Sequence, residues 1–274
     1  MSLPDRDQSL FENVVANENW SFPASGEPVF VGTTMTAFRG IDAYHGTLPI
    51  RQKDLEPGAL AQYLKPIEQT DIYPSLAGTK IDLTVAPVRY TKRPDISSVS
   101  ATPKGTVRNQ FMHEVEIHEL LSRYPHPSVV RYLGCVLQDG MIVAFHLEKC
   151  SRTLLDRIEQ DDKFSEDAFE KCMDQIESGL QHLHSLGFAH NDLSPANIMF
   201  NSDETEAILI DFDSCDRFGK PLNRGGWVGG WDGGEPIATF KLSSAECDKQ
   251  ACQFLRKWGL LALSRRPSTS SKQK

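Results

Sequence analysis

The sequence has no apolar run long enough to cross a bilayer. The longest, Met141 to Phe145, falls far short of the roughly 20 residues a spanning helix needs. Nor is there an excess of positive charge. Lys and Arg number 29 against 37 Asp and Glu, a formal net charge of −8, so the basic surface of a non-specific nucleic-acid binder is missing. Cysteine is sparse: six residues, at positions 135, 150, 172, 215, 247 and 252. No two stand as C-x-x-C, and no His/Cys spacing resembles a zinc site, so the thiols read as free, in a reducing compartment. The N-terminal residues MSLPDRDQSLFENVV are charged and lack an apolar core, which excludes a secretory signal from the reading. Together these absences lead us to expect a soluble, intracellular, cytoplasmic protein with neither nucleic acid nor membrane as a partner. The 274 residues suffice for one large domain or two small ones, and 39% hydrophobic with 24% charged residues is ordinary for a globular chain.

Chemistry concentrates in the stretch His190-Asn191-Asp192-Leu193-Ser194-Pro195-Ala196-Asn197-Ile198-Met199. An apolar run, Ala207 to Ile210, follows a polar turn and ends in Asp211-Phe212-Asp213. The pattern predicts a hairpin whose ends bring Asp192, Asn197 and Asp211 to one edge. Oxygen donors gathered this way suit a hard cation such as Mg²⁺ carrying a phosphate.

Around this centre the chain reads in order. Residues 1 to 70 are rich in proline and yield no chemistry; 54–64 is expected as a short helix. Residues 81–92 carry β-branched alternation and read as one or two strands, broken near Pro87. A helix is predicted from Val107 to Arg123, ended by Pro125 and Pro127. Val129–Leu137 and Met141–Phe145 flank Asp139-Gly140, a two-residue hairpin turn. A short helix over 153–158 precedes a long one, with Ser165 as N-cap, a stripe of Phe169, Cys172, Met173, Ile176, Leu180 and Leu183, and Gly187 as its stop. His182 and His184 point to different helix faces and receive no metal role. The glycine-rich segment 225–234 lacks the strand-to-helix context of a phosphate loop and is expected to be a flexible loop with aromatic anchors. A last helix is predicted over 244–263, followed by a disordered serine-rich tail, 264–274. Within that tail Arg265-Arg266-Pro267-Ser268 has the form of a site for basic-directed kinases.

These residues resemble the protein kinase-like superfamily. HNDLSPAN is similar to the catalytic loop, and Asp211-Phe212-Asp213 to the Mg²⁺-binding triplet. RYTK, ending in Lys92, resembles the strand that carries the phosphate-pairing lysine. Glu114 in HEVEIHELL resembles its helix-borne partner, with Glu116 as the alternative. HPSVVRYLG resembles the strand entry that follows. With KRP and IDFDS these phrases look most like fungal kinase-like proteins of uncharacterised substrate, over about Tyr73 to Leu263. The resemblance implies an α+β, two-lobed fold, with a small β-rich N-lobe at about 71–147 and a mainly helical C-lobe at about 148–263. Residues 1–70 would form an extension of unknown function. It implies ATP and Mg²⁺ as cofactors and a protein substrate. Asp192 would orient the acceptor hydroxyl and take its proton; Asn197 and Asp211 would hold the metal; Lys92, held by Glu114, would pair the α/β-phosphates. Leu147 and Glu148 would border the adenine, and Asp248 would brace the catalytic loop through its backbone. His190 would be a packed loop histidine, and Asp213 a neighbour of the ligand rather than a ligand.

The sequence also departs from the family pattern. There is no G-x-G-x-x-G; Ala77-Gly78-Thr79 is the one candidate for the phosphate-covering loop. Asn191 stands where the family has the arginine that docks an activation-loop phosphate, so that regulation is not expected. Ser194 replaces the catalytic-loop lysine. The given residues end soon after the helix carrying Asp248, so a truncated C-lobe is expected. The leading expectation is an ATP- and Mg²⁺-dependent phosphotransferase acting on Ser/Thr of protein. The alternatives are a small-molecule phosphotransferase of the aminoglycoside or choline kinase type, which shares Ser194 and the D-x-D form, and a pseudokinase that serves as a nucleotide- or partner-binding module.

Overall fold

The computed structural model describes residues 11–23, 26–55, 62–76 and 89–266. Chain contacts divide the protein into two compact units. One takes the described residues before 77 with Arg93–Met112 and Val136–Ala144; the other takes 89–92, His113–Cys135 and the described residues from 145 on.

Three long strands open the first unit: β1 (Glu12–Ser21), β2 (Val29–Arg39) and β3 (Asp42–Leu48). With β4 (Lys65–Pro66) they form an antiparallel sheet in the order β1-β2-β3-β4. Arg39 pairs with Asp42, so a two-residue turn joins β2 to β3, and Gly40 there holds a φ of 61°, a conformation glycine adopts without cost. The sequence alone predicts no strand here, and the reason is physical. The inner half of β2 is buried on both faces: Met35 and Ala37 pack with Tyr44, Leu48 and Leu64, while Phe38 packs with Ala43, Ile67, Ile72 and Tyr73 and Thr36 is buried as well. A strand covered on both sides loses the polar–apolar alternation that would betray it. Part of the helix expected over 54–64 lies outside the described residues; those present give a 3₁₀ turn at Gln52–Asp54 and a turn before β4. A single-turn helix, α1 (Gln69–Ile72), follows.

Of the strands expected over 81–92, only β5 (Arg89–Lys92) is among the described residues; 81–88, and the Ala77-Gly78-Thr79 candidate, lie outside them. Next come α2 (Thr106–Leu121), β6 (Tyr132–Gln138) and β7 (Met141–Glu148). Asp139 and Gly140 both have positive φ, 52° and 76°, the geometry that matches a hairpin turn to strand twist. The sheet order is β5-β7-β6, with Lys92 opposite Phe145 and Tyr90 opposite Leu147.

The second unit is mainly helical. α3 (Leu154–Gln160) begins in a capping box between Thr153 and Asp156. α4 (Glu166–Ser185) starts at Ser165, whose hydroxyl accepts from Ala168 N at 3.2 Å, and buries the predicted stripe from Phe169 to Leu183. Gly187, at φ 82°, ends it. Short strands follow: β8 (Phe188–Ala189), β9 (Ile198–Phe200), β10 (Ala207–Leu209), β11 (Asp216–Arg217), β12 (Trp227–Val228) and β13 (Ala238–Thr239). β9 pairs with β10, β8 with β11, and β12 with β13. The chain then enters α5 (Ala245–Ser264), capped by Ser244 and packed on α4. The glycine-rich segment therefore lies inside a two-stranded ladder, with Trp231 edge-on to Phe254 and Trp258 of α5. The architecture is mixed α+β, strand-rich first and helical later. Among the described residues no helix is long and apolar enough to cross a membrane.

Candidate nucleotide and phosphoryl-transfer site

β5 ends in Lys92, and its side chain is held at both sides. Nζ donates to Glu114 Oε1 at 2.5 Å and to Asp211 Oδ1 at 2.6 Å. Burial would lower the lysine's pKa, but the two carboxylates, Glu114 foremost, outweigh it and hold the ammonium above its ordinary value. Burial likewise pushes Glu114 up, and Lys92, with His118, more than reverses this, so Glu114 stays ionised below its usual range. Of the two glutamates considered for this position, Glu114 is buried and Glu116 faces solvent.

Asp211 has a φ of 62°. Left-handed backbone is uncommon outside glycine and gathers at functional sites. Behind it, Phe212 is fully buried between two histidines: His118 at 5.4 Å and His190 at 5.2 Å between ring centroids. His118 also stacks on Tyr132. Neither ring nitrogen of His118 has a hydrogen-bond partner among the described residues; Nε2 stands 3.8 Å from Glu114 Oε1.

The loop before β9 is fastened from below. Asp248 on α5 is fully buried, and its carboxylate accepts from His190 N (2.9 Å), Asn191 N (2.8 Å) and His184 Nε2 (2.8 Å). His190 is a packed loop histidine: Nε2 donates to Ile210 O at 2.9 Å, and Nδ1 accepts from Asp192 N at 3.3 Å. Asn197 Nδ2 donates to Asp192 O (2.8 Å) and Asp192 Oδ2 (3.1 Å). Asn197 O accepts from Ile210 N at 3.0 Å, so the ladder that pairs β9 with β10 delivers Asn197 beside the residue preceding Asp211. Burial first, then the nearby Asp211 charge, raise the Asp192 carboxyl above the ordinary aspartate value. Ser194 closes the turn: its hydroxyl accepts from Asn197 N at 3.3 Å.

Leu147 and Glu148 end β7. Leu147 is buried opposite Tyr90, and the Glu148 carboxylate accepts from Arg131 Nε at 3.1 Å. Asp213 pairs with Arg224 at 2.9 Å and accepts from Ser214 Oγ at 2.9 Å. These partners take one oxygen each of the carboxylate.

Beside Asp192 lies a cavity of about 500 Å³. Apart from Asp192, its walls all come from one stretch between Asp213 and Lys241, including Leu222, Gly225, Trp227 and Phe240. Sequence reasoning missed this wall. Glycine repeats carry no periodicity, and the only signal was the exposed aromatic Trp227.

Among the described residues no cluster of three or more His, Cys, Asp and Glu side chains forms a metal cage. The donor set on hand is a carboxylate and an amide. With its Nδ2 committed to Asp192, Asn197 keeps Oδ1 without a hydrogen-bond donor among the described residues. Asp211 has a half-exposed side chain. A carboxylate and an amide oxygen are the donor types that fit Mg²⁺, which binds through few protein ligands and keeps several waters.

Comparison with known proteins gives the protein kinase domain family over residues 93–228; the match starts one residue after Lys92. The endoribonuclease-linked serine/threonine-protein kinase IRE1 of Hypocrea jecorina is 35% identical over 122 residues, 39% of this chain and 10% of the relative. A calcium and calcium/calmodulin-dependent serine/threonine-protein kinase of Lilium longiflorum is 38% identical over 103 residues, 36% of this chain and 20% of the relative. The serine/threonine-protein kinase SBK1 of Danio rerio is 28% identical over 172 residues, 60% of this chain and 43% of the relative. The chain thus spans less than half the length of each of these relatives.

Proposed function

Since the chain belongs to the protein kinase-like superfamily, we propose that it is an ATP- and Mg²⁺-dependent phosphotransferase acting on Ser/Thr hydroxyls of a protein. The observation that carries this reading is the Lys92 ammonium locked between Glu114 and Asp211. A lysine so placed is a fixed positive charge waiting for phosphate oxygens, and phosphoryl transfer depends on positioning and charge neutralisation more than on covalent chemistry. The relatives' names, all serine/threonine kinases, support Ser/Thr as the acceptor type.

In this reading Lys92 pairs the α/β-phosphates, and Leu147 and Glu148 border the adenine. Asn197 and Asp211 hold Mg²⁺, which when bound neutralises charge on the phosphates. Asp192 accepts a hydrogen bond from the acceptor hydroxyl and takes its proton as the oxygen bonds to phosphorus. The bridging oxygen leaves with ADP, so one O–P bond forms and one breaks. A carboxylate whose proton affinity is raised by burial is suited to that transfer. The acceptor enters the cavity beside Asp192.

Mg-ATP is expected to raise the melting temperature, and Asp211→Asn to abolish the shift. An unchanged melt at millimolar Mg-ATP would turn the reading towards a pseudokinase. Transfer of γ-phosphate to a generic protein substrate should be seen; transfer to amino-sugars and amino-alcohols alone would replace the protein acceptor with a small molecule. Lys92→Ala should lower turnover by about 10²–10³-fold, the scale for losing one preorganised charge partner.

A further inference from the structure

Asn191 contacts neither a proposed metal ligand nor the nucleotide-pairing lysine, yet it makes more directed bonds than any neighbour in its loop. It is fully buried, with a φ of 63°. Its Nδ2 donates to Ala189 O (2.9 Å), Ser214 O (2.9 Å) and Ser243 Oγ (3.0 Å). Its Oδ1 accepts from Ser244 N at 3.3 Å. Its backbone N donates to Asp248, and its backbone O accepts from Gly226 N at 2.6 Å. A Cβ at Gly225 would lie 2.7 Å from that same carbonyl, so the chain passes over Asn191 as closely as a peptide can.

These contacts have a common target. Every wall of the cavity beside Asp192, other than Asp192 itself, lies between residues 213 and 241. Asn191 holds this stretch at its start (Ser214), near its middle (Gly226) and just past its end (Ser243 and Ser244). The next residue in the chain is Asp192. We infer that Asn191 is the positioning residue of the acceptor cavity: it fixes the cavity wall in register with the carboxylate that receives the acceptor's proton. The inference rests on the phosphotransferase reading and names what holds its acceptor side together. The side-chain bonds run to backbone groups and one hydroxyl, so the wall is assembled by neutral hydrogen bonds, without an added charge.

Asn191→Gly separates the two things the residue supplies. Glycine keeps the left-handed backbone without strain and deletes the amide. The variant loses all four side-chain bonds and is expected to raise KM for the protein acceptor about tenfold or more. KM for Mg-ATP and the Mg-ATP melting shift are expected to stay within about twofold of the parent, because uniform binding of the nucleotide is untouched. Amide hydrogen exchange should accelerate across 214–244 and remain slow in α4. If glycine restores the acceptor KM of the parent, or if KM rises equally for both substrates, Asn191 does not position the cavity. Should this variant not fold, Ser243→Ala removes one acceptor of the same amide. It is expected to raise the acceptor KM about threefold, and an unchanged value overturns the inference. A parent chain that binds Mg-ATP and transfers phosphate to nothing would sink the phosphotransferase reading instead. Exchange across 214–244 then still decides the clamp, and unchanged exchange in Asn191→Gly overturns it.

Discussion

Asp211 and Asn191 both hold left-handed backbone, at φ 62° and 63°, and Asn and Asp are the residue types that tolerate it best after glycine. Each is kept there by bonds that reach other segments, which is how small strain persists at a site. Nearby, Glu114 offers a pH test. Its pKa is lowered in the fold, so its contribution is present above the ordinary value of 4.5 and is lost as pH falls through the folded value. The melting-temperature gap between the parent and Glu114→Gln should therefore be constant above 4.5 and narrow below it; a gap that stays flat into acid would contradict the ion pair. His118 offers a packing test. It is buried among Tyr132, Phe145 and Phe212 with no hydrogen bond among the described residues, Glu114 Oε1 standing 3.8 Å from Nε2, and an unpartnered buried polar group costs about 1–3 kcal/mol. His118→Leu trades the unmet hydrogen bond against the lost support for Glu114 and should keep stability within about 1 kcal/mol of the parent in denaturant titration. A clear loss would mean that the imidazole has a partner, Glu114 being the nearest.

At the scale of elements, what could be read from the sequence was whatever repeats or caps. α4 announced itself through Ser165, its stripe and Gly187. The β6–β7 hairpin did so through Asp139-Gly140, and the β9–β10 hairpin through two apolar runs around a polar turn. Asp192, Asn197 and Asp211 were visible because their spacing sits on that hairpin, and Lys92 and Glu114 because they resemble known neighbours of it. The β1–β3 sheet was hidden because β2 is covered on both faces, and the cavity wall because glycine and short ladders leave no period to detect. The tail motif changes meaning as well. Arg266 donates to the carbonyls of Arg157, Ile158, Asp161 and Phe164, closing the C-terminal end of α3, where helix carbonyls lack partners. Its guanidinium is therefore committed to the fold, and Ser268 lies outside the described residues. Arg266→Ala should cost about 1–3 kcal/mol through those abandoned carbonyls, measured as a lower denaturation midpoint. No change would show that the carbonyls find other donors.

For the whole molecule, the main fact is how the first unit is assembled. Its core joins Phe38, Ala43, Ile67, Ile72 and Tyr73 to Ile96, Val107 and Val143, residues from three separated stretches of chain. A chain that starts at residue 71 would keep the resemblance to a kinase and lose most of this core. Such a chain is expected to melt well below the parent or to aggregate, since it exposes the apolar faces of α2 and of the β6–β7 tip; an unchanged melt would make residues 11–70 a dispensable extension. The same assembly has a consequence during synthesis. β1, β2 and β3 pair with near neighbours and leave the ribosome before the rest of this core, and Val143 emerges some 95 residues after β3 ends. At about 5–20 residues per second that interval lasts roughly 5–20 s, during which the cover over Phe38 and Ala43 is only partly built, from Ile67, Ile72 and Tyr73 onward. A nascent-chain chaperone has that window in which to bind, and slowing translation across residues 50–140 should lengthen it.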